Sequence, residues 1–233
     1  MQNSKIVIGL LVIMLLMCGR KANAQLNDIL GSKSGAGFIA GDSIIFAEDF
    51  GAGKPGSNAA SFKSNAAATI ATVDGQKGKW LSLQDKATYK LSRPIIYPAR
   101  FTVEFDILAI GDNIKDIAPT SFGFATDNSA REYTSNTGTY VECHYYDANM
   151  VNVGNSLDNK YVNTSFDLTT SLNRPMHVSL SIDGKKMAVY LDKTKLCDAD
   201  FVTPSAAKNF YITAPWEYAN GARLYISHLK IAK

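Results

Sequence analysis

Residues 174–191 read RPMHVSLSIDGKKMAVYL, and this stretch decides the fold. Val178, Leu180 and Ile182 fall on one face of an extended chain, with His177, Ser179 and Ser181 on the other, because side chains alternate across a strand with a period of two. Asp183-Gly184 reads as the positive-φ pair of a two-residue hairpin turn. Met187, Val189 and Leu191 then resume the apolar face on the return strand.

Working outward, FTVEFDILA at 101–109 is the clearest alternation in the chain. Phe101, Val103, Phe105 and Ile107 form one face; Thr102, Glu104 and Asp106 form the other, which Leu108 continues. A first strand over 42–50 ends in the acidic pair Glu48-Asp49, and 51–65 reads as a loop by composition. Further short strands are expected at 69–73, 80–83, 89–91, 121–125, 140–146, 151–154, 210–213 and 224–231, separated by turn residues. No long stretch has helical periodicity. Short strands at roughly even spacing predict an all-β, two-sheet antiparallel jelly-roll sandwich over residues 42–233.

The bulk composition agrees. A chain of 233 residues, 46% apolar and 19% charged, can bury one full core without metal or disulfide staples. Its 24 basic and 21 acidic residues leave a net charge of +3. Nucleic-acid binding needs Lys and Arg clustered on one face, so no such partner is expected.

Residues 1–24 carry the marks of a secretory signal peptide: Lys5, an apolar run from Ile6 to Met17, and the small-x-small sequence Ala22-Asn23-Ala24. That run is shorter than the ~20 residues of a membrane-spanning helix. Cleavage leaves Gln25 first, with 25–41 as a flexible lead-in. Acylation at Cys18 is the competing reading, but it wants a small residue ahead of the cysteine, and Met17 is not small. The expected location is periplasmic, outer-membrane-associated or extracellular, with no transmembrane segment in the mature chain. An oxidising compartment makes a Cys143–Cys197 bridge one expectation, and two separately buried thiols the other. The two cysteines lack the spacing of a zinc site.

The hairpin at 174–191 is similar to the HVALTYDG…LRLYVDG hairpin of laminin-G-like and concanavalin-like jelly rolls. AGDSIIFAEDF, KGKWLSLQDKATYKLSRPI, YPARFTVEFDIL, FGFATDNS, RPMHVSLSIDG and AKNFYITAPWEYANGA together resemble one particular group. It is the N-terminal laminin-G-like domain found ahead of OmpA-type peptidoglycan-binding domains in exported Bacteroidetes proteins. The resemblance runs from about Gly41 to Ala232 and implies an exported jelly-roll module. The sequence stops at Lys233 without an OmpA-like domain, so peptidoglycan anchoring is not carried over.

Several residue groups are candidates for chemistry. Glu104-Phe105-Asp106 is similar to part of the E-x-D-x-E or E-x-D-x-x-E motif of laminarinase-type jelly-roll enzymes. The third acid is missing in either register, where Leu108 and Ala109 stand. A retaining glycosidase needs two carboxyls flanking the scissile bond, so a partner would have to come from another strand, such as Glu142. Otherwise Glu104 and Asp106 are the polar face of a core strand. His144, His177 and His228 each stand alone within a strand, and no nucleophile or metalloprotease motif accompanies them. Jelly rolls of this type often hold calcium, and Glu48, Asp49 and Asp127 are the candidate oxygen donors; turn chemistry is the plainer role for them.

Sugar binding needs rings to pack on pyranose C–H faces and fixed polar groups for the hydroxyls. Tyr146 shares a strand face with Glu142 and His144, opposite Val141, Cys143 and Tyr145. With Asn152 and the Pro215-Trp216-Glu217-Tyr218 loop, these are the candidate ligand residues. The expected function is a non-catalytic binding module of the cell envelope, recognising carbohydrate or an envelope protein. The alternatives are a glycan-active hydrolase of the same fold and a purely structural interaction subunit.

Overall fold

The computed structural model describes residues 37–233. The expected signal peptide and most of the lead-in lie outside the described residues. The strands in chain order are β1 (Ile44–Glu48), β2 (Phe62–Ser64), β3 (Thr69–Ala71), β4 (Trp80–Leu83), β5 (Thr88–Leu91), β6 (Arg100–Ile110), β7 (Thr120–Ala125) and β8 (Thr139–His144). They continue with β9 (Met150–Asn155), β10 (Lys160–Ser165), β11 (Pro175–Asp183), β12 (Lys186–Leu191), β13 (Thr194–Asp200), β14 (Asn209–Thr213) and β15 (Arg223–Ala232). Sheet A runs β13-β12-β11-β6-β15-β4-β3, and sheet B runs β10-β9-β8-β7-β14-β5-β2. Every strand pair is antiparallel. This is the two-sheet jelly-roll sandwich that the alternation predicts.

The alternating residues fill the space between the sheets. Phe101, Val103, Phe105 and Ile107 are buried, as are Val178, Leu180 and Ile182 and, on the return strand, Met187, Val189 and Leu191. Aromatic rings knit the layers edge to face: Phe105 of sheet A meets Phe122 of sheet B at 5.1 Å between centroids and 87° between planes. Phe101 meets Phe124 at 5.4 Å and 84°. This is the geometry the ring quadrupole favours. Leu108 is buried too, but on the other side of sheet A, outside the main core.

Three readings are corrected. Asp183 pairs with Lys186, so the turn is Gly184-Lys185 rather than Asp183-Gly184. Within this turn positive φ is confined to Gly184, at +60°, the first central position, as in a type II′ hairpin. The 51–65 stretch is not all loop, since β2 pairs with β5 there. The strands β10 and β13, unread in the sequence, form the adjacent edges of the two sheets.

A polar segment, residues 126–138, folds over the outer face of sheet B. The Thr134 N–H donates to Thr88 Oγ1 at 2.8 Å, and the Thr137 N–H to the Tyr211 hydroxyl at 3.2 Å. Lys90 Nζ donates to the Asp127 carbonyl at 2.9 Å. Under this cover Thr88, Lys90, Ser121, Tyr211 and Thr213 are buried, with backbone and side-chain partners that offset the cost of leaving water.

Candidate functional site

β8 places Tyr140, Glu142 and His144 on the outer face of sheet B, with Tyr146 next beyond the strand end. Val141, Cys143 and Tyr145 point into the core and are fully buried. The face is therefore divided as its period of two requires. His144 Nε2 lies 2.8 Å from Glu142 Oε2, with both side chains largely shielded from solvent. The His144 ring is 5.8 Å from the ring of Tyr146. Asn152 of β9 sits directly opposite Glu142. Burial, then the Glu142 charge, raises the Tyr140 hydroxyl pKa, and the same two causes raise that of Tyr133 in the covering segment. Two polar atoms of this face, His144 Nδ1 and Asn152 Oδ1, are buried without a protein hydrogen-bond partner, which is costly for any polar group.

Beyond the end of β8 the face opens into a cleft of about 240 Å³ lined by Lys115, Asp116, Ala118, Tyr146, Trp216, Glu217 and Ala219. Tyr146 and Trp216, two of the three aromatics expected to bind ligand, line it together and are 46% and 45% exposed. Its walls are laced to each other. The Ala219 N–H donates to Asp116 O at 2.8 Å and the Ala118 N–H to Glu217 O at 3.2 Å. Asn220 Nδ2 donates to Asp116 Oδ1 at 2.9 Å. Trp216 is thus carried on a cross-braced segment, while Tyr146 reaches the cleft from just beyond the end of β8. Tyr218 is not part of the cleft: its ring packs against the core, its hydroxyl donates to Leu83 O at 2.9 Å, and it closes the end of the sandwich.

Glu104 and Asp106 occupy the outer face of sheet A, so Glu142, on the outer face of sheet B, cannot act beside them. Their partners are cationic or imidazole groups. Asp106 Oδ1 takes His177 Nδ1 at 2.7 Å, and Oδ2 takes His228 Nδ1 at 2.9 Å. Glu104 lies 3.5 Å from His177 Nε2 and 3.4 Å from Lys230 Nζ. A bulge in β15 between Ser227 and Lys230 turns His228 onto this face, with φ at +55°. Burial pushes the Asp106 pKa up, but the two imidazoles outweigh it and hold the carboxyl below its usual range. The hydrogen bond to Asp106 raises the His177 pKa against the effect of burial. No sequence signal could have found this convergence, which depends on β6 lying between β11 and β15.

The three calcium candidates are not brought together. Asp127 pairs with Lys90 Nζ at 3.2 Å and accepts the Ser129 N–H. Glu48 and Asp49 accept the N–H groups of Phe50 and Gly51 within their own turn. Calcium takes six to eight oxygens, and these carboxylates do not fit that requirement. Among the described residues no group of three or more His, Cys, Asp or Glu is placed to hold a metal ion. Cys143 and Cys197 are free, buried thiols on different sheets, so the bridge is not formed. Burial pushes each up to about 12.

These features define a two-sheet jelly-roll sandwich with an aromatic cleft at one end. Solved structures of similar fold include arcelin-5, described as a lectin-like defence protein from Phaseolus vulgaris. It has a TM-score of 0.58 and 15% identity, over 80% of this chain and 96% of that one. A second is the carbohydrate-binding module CBM66 from Bacillus subtilis, at TM-score 0.50 and 14% identity over 74% and 96%. The exoplasmic/lumenal domain of VIP36, in its Ca2+/Man-bound form, has TM-score 0.54 and 10% identity over 73% and 82%. At such identities the likeness is one of fold. No family model matches the chain, and no curated protein does. No helix among the described residues is long and apolar enough to cross a membrane.

Proposed function

We propose that this chain is a non-catalytic carbohydrate-binding module whose site is the Tyr146–Trp216 cleft. The observation that carries the reading is the pairing of two half-exposed rings in one braced pocket with Lys115, Asp116 and Glu217. Rings supply flat apolar surface for sugar C–H faces, and the charged groups supply fixed hydrogen-bond partners for hydroxyls. The descriptions of arcelin-5 as lectin-like and of CBM66 as carbohydrate-binding support it. The signal-like residues 1–24 and the resemblance to exported Bacteroidetes domains extend it to a module of the cell envelope.

The test is a glycan-array screen of residues 25–233, followed by calorimetry on a bound glycan. Trp216→Ala and Tyr146→Ala should each weaken binding by about 1–3 kcal/mol, the scale of a binding hot spot. Neither should shift the melting temperature appreciably, since both rings are half outside the packed structure. Unaltered affinity in both variants, or an array with no bound glycan, sinks the reading.

A further inference from the structure

The end cleft is continuous with a longer surface. Tyr140, Glu142, His144 and Tyr146 project from one face, and a strand advances about 3.4 Å per residue, so they mark out roughly 20 Å. At the far end a row of residues crosses sheet B. Tyr211 of β14 faces Gly123 of β7, which faces Tyr140 of β8, then Gly154 of β9, then Tyr161 of β10. Tyrosines alternate with glycines along it. A Cβ on Gly154 would fall 2.8 Å from the Tyr140 hydroxyl oxygen and 2.9 Å from its Cζ. The Tyr140 ring therefore lies down over the β9 backbone, where any side chain would displace it. Tyr140, Tyr211 and Ala125 form a small apolar cluster of their own, separate from the main core. Tyr161 ends the row at the sheet edge, 64% exposed.

The result is a track with exposed rings at both ends, Trp216 and Tyr146 at one and Tyr161 at the other. Between them lie Glu142, His144, Asn152 and the exposed Asn163. The segment at 126–138 borders it on the β7–β14 side, where the Asn136 N–H donates to Ser121 Oγ and the Thr137 N–H to the Tyr211 hydroxyl. The unpartnered His144 Nδ1 and Asn152 Oδ1 suit a hydroxylated ligand rather than an apolar one. Among the charged groups along the track, Asp116, Glu217 and Glu142 stand against Lys115 and the exposed Lys160 next to Tyr161. That balance disfavours a sulfated or uronic polymer.

We infer that the site takes an internal stretch of a linear, uncharged glycan, seated along β8 from Trp216 to Tyr161, rather than a terminal sugar in the end cleft alone. The inference rests on the carbohydrate-binding reading above and goes beyond it in naming the ligand class and a second anchoring ring.

Calorimetry with cello-, laminari-, malto- and chito-oligosaccharides of one to six units tests it, using the wild type, Tyr161→Ala and Trp216→Ala. In the series that binds, affinity should rise at least about tenfold from the disaccharide to the hexasaccharide. Tyr161→Ala should remove most of that rise and leave the disaccharide unchanged, with an unaltered melt, while Trp216→Ala weakens every length. Equal affinity for short and long chains, or a Tyr161→Ala variant that binds the hexasaccharide like wild type, overturns the track and leaves the cleft standing. Binding of anionic oligosaccharides in preference to all four neutral series overturns the ligand class. Absence of binding to any glycan, charged or neutral, overturns both the track and the carbohydrate reading.

Discussion

At Gly154 a single missing methyl decides what the outer face of sheet B looks like. A Cβ there would come within 2.5 Å of the Lys160 carbonyl as well as against the Tyr140 ring. The carbonyl belongs to the paired β10 backbone and cannot swing aside as a side chain could. Gly154→Ala should therefore destabilise the fold by about 1–3 kcal/mol, as overpacking does. Urea unfolding measures it, and an unchanged midpoint would mean that the ring and β10 move at no cost. The two cysteines are packed in the core, where solvent does not reach them. Both thiols are buried, and their high pKa values leave almost no thiolate. A thiol reagent should modify the native protein only as fast as it opens, with both sites reacting at once in denaturant. A reductant should leave the melting temperature where it was. A melt lowered by reductant would show a bridge after all.

At the scale of strands, the hairpin β11–β12 and the histidine cluster make separate predictions. Gly184 holds φ at +60°, which alanine resists, so Gly184→Ala should cost about 1 kcal/mol or more. Asp183→Ala removes only a solvent-exposed ion pair with Arg100, a kind of contact worth little. Equal effects of the two substitutions would put the turn back at Asp183-Gly184. Across β6, β11 and β15, Asp106 with its lowered pKa stabilises the fold above the ordinary carboxylate value of about 3.9, and that contribution fades as pH falls through its lower folded value. His177, raised, contributes below its ordinary value of about 6.5, and its contribution fades as pH rises through the higher folded value. Glu104, His228 and Lys230 share the same face. Calorimetric melting should therefore fall as pH is taken from about 6 to 8, with a shallower fall in His177→Gln; superimposable profiles would show that the cluster contributes nothing. Strands such as β6, β8, β11 and β12 were legible because each has a strict apolar face. β10 was not, because an edge strand reading KYVNTS buries only Val162 and so shows no period. The Tyr146–Trp216 pairing was half legible. The residue types pointed to a platform, but only the bracing of 112–119 against 214–222 decides that Trp216 joins it and Tyr218 does not.

For the molecule as a whole, both faces are built on one layered core, yet they are differently finished. Sheet B hides Thr88, Lys90, Ser121 and Thr213 under a segment of chain but leaves its β8–β10 half for the track, and sheet A leaves a cluster of charges half open. The first and last strands of the described residues meet at β15. Its residues 224–226 pair with β4, residues 229–232 pair with β1, and β6 runs along its other side. Ser43 and Lys233 exchange backbone hydrogen bonds at 3.1 and 2.9 Å. The last strand in sequence is thus central to sheet A, and this orders the events of folding in time. Until those ten residues leave the ribosome, β13-β12-β11-β6 is a half-sheet with an open edge, and β1 has nothing to pair with. Contacts so distant along the chain form slowly, and an unpaired β6 can be taken by another copy in the meantime. The strand that completes the sheet therefore also ends the interval in which the nascent chain is vulnerable to aggregation.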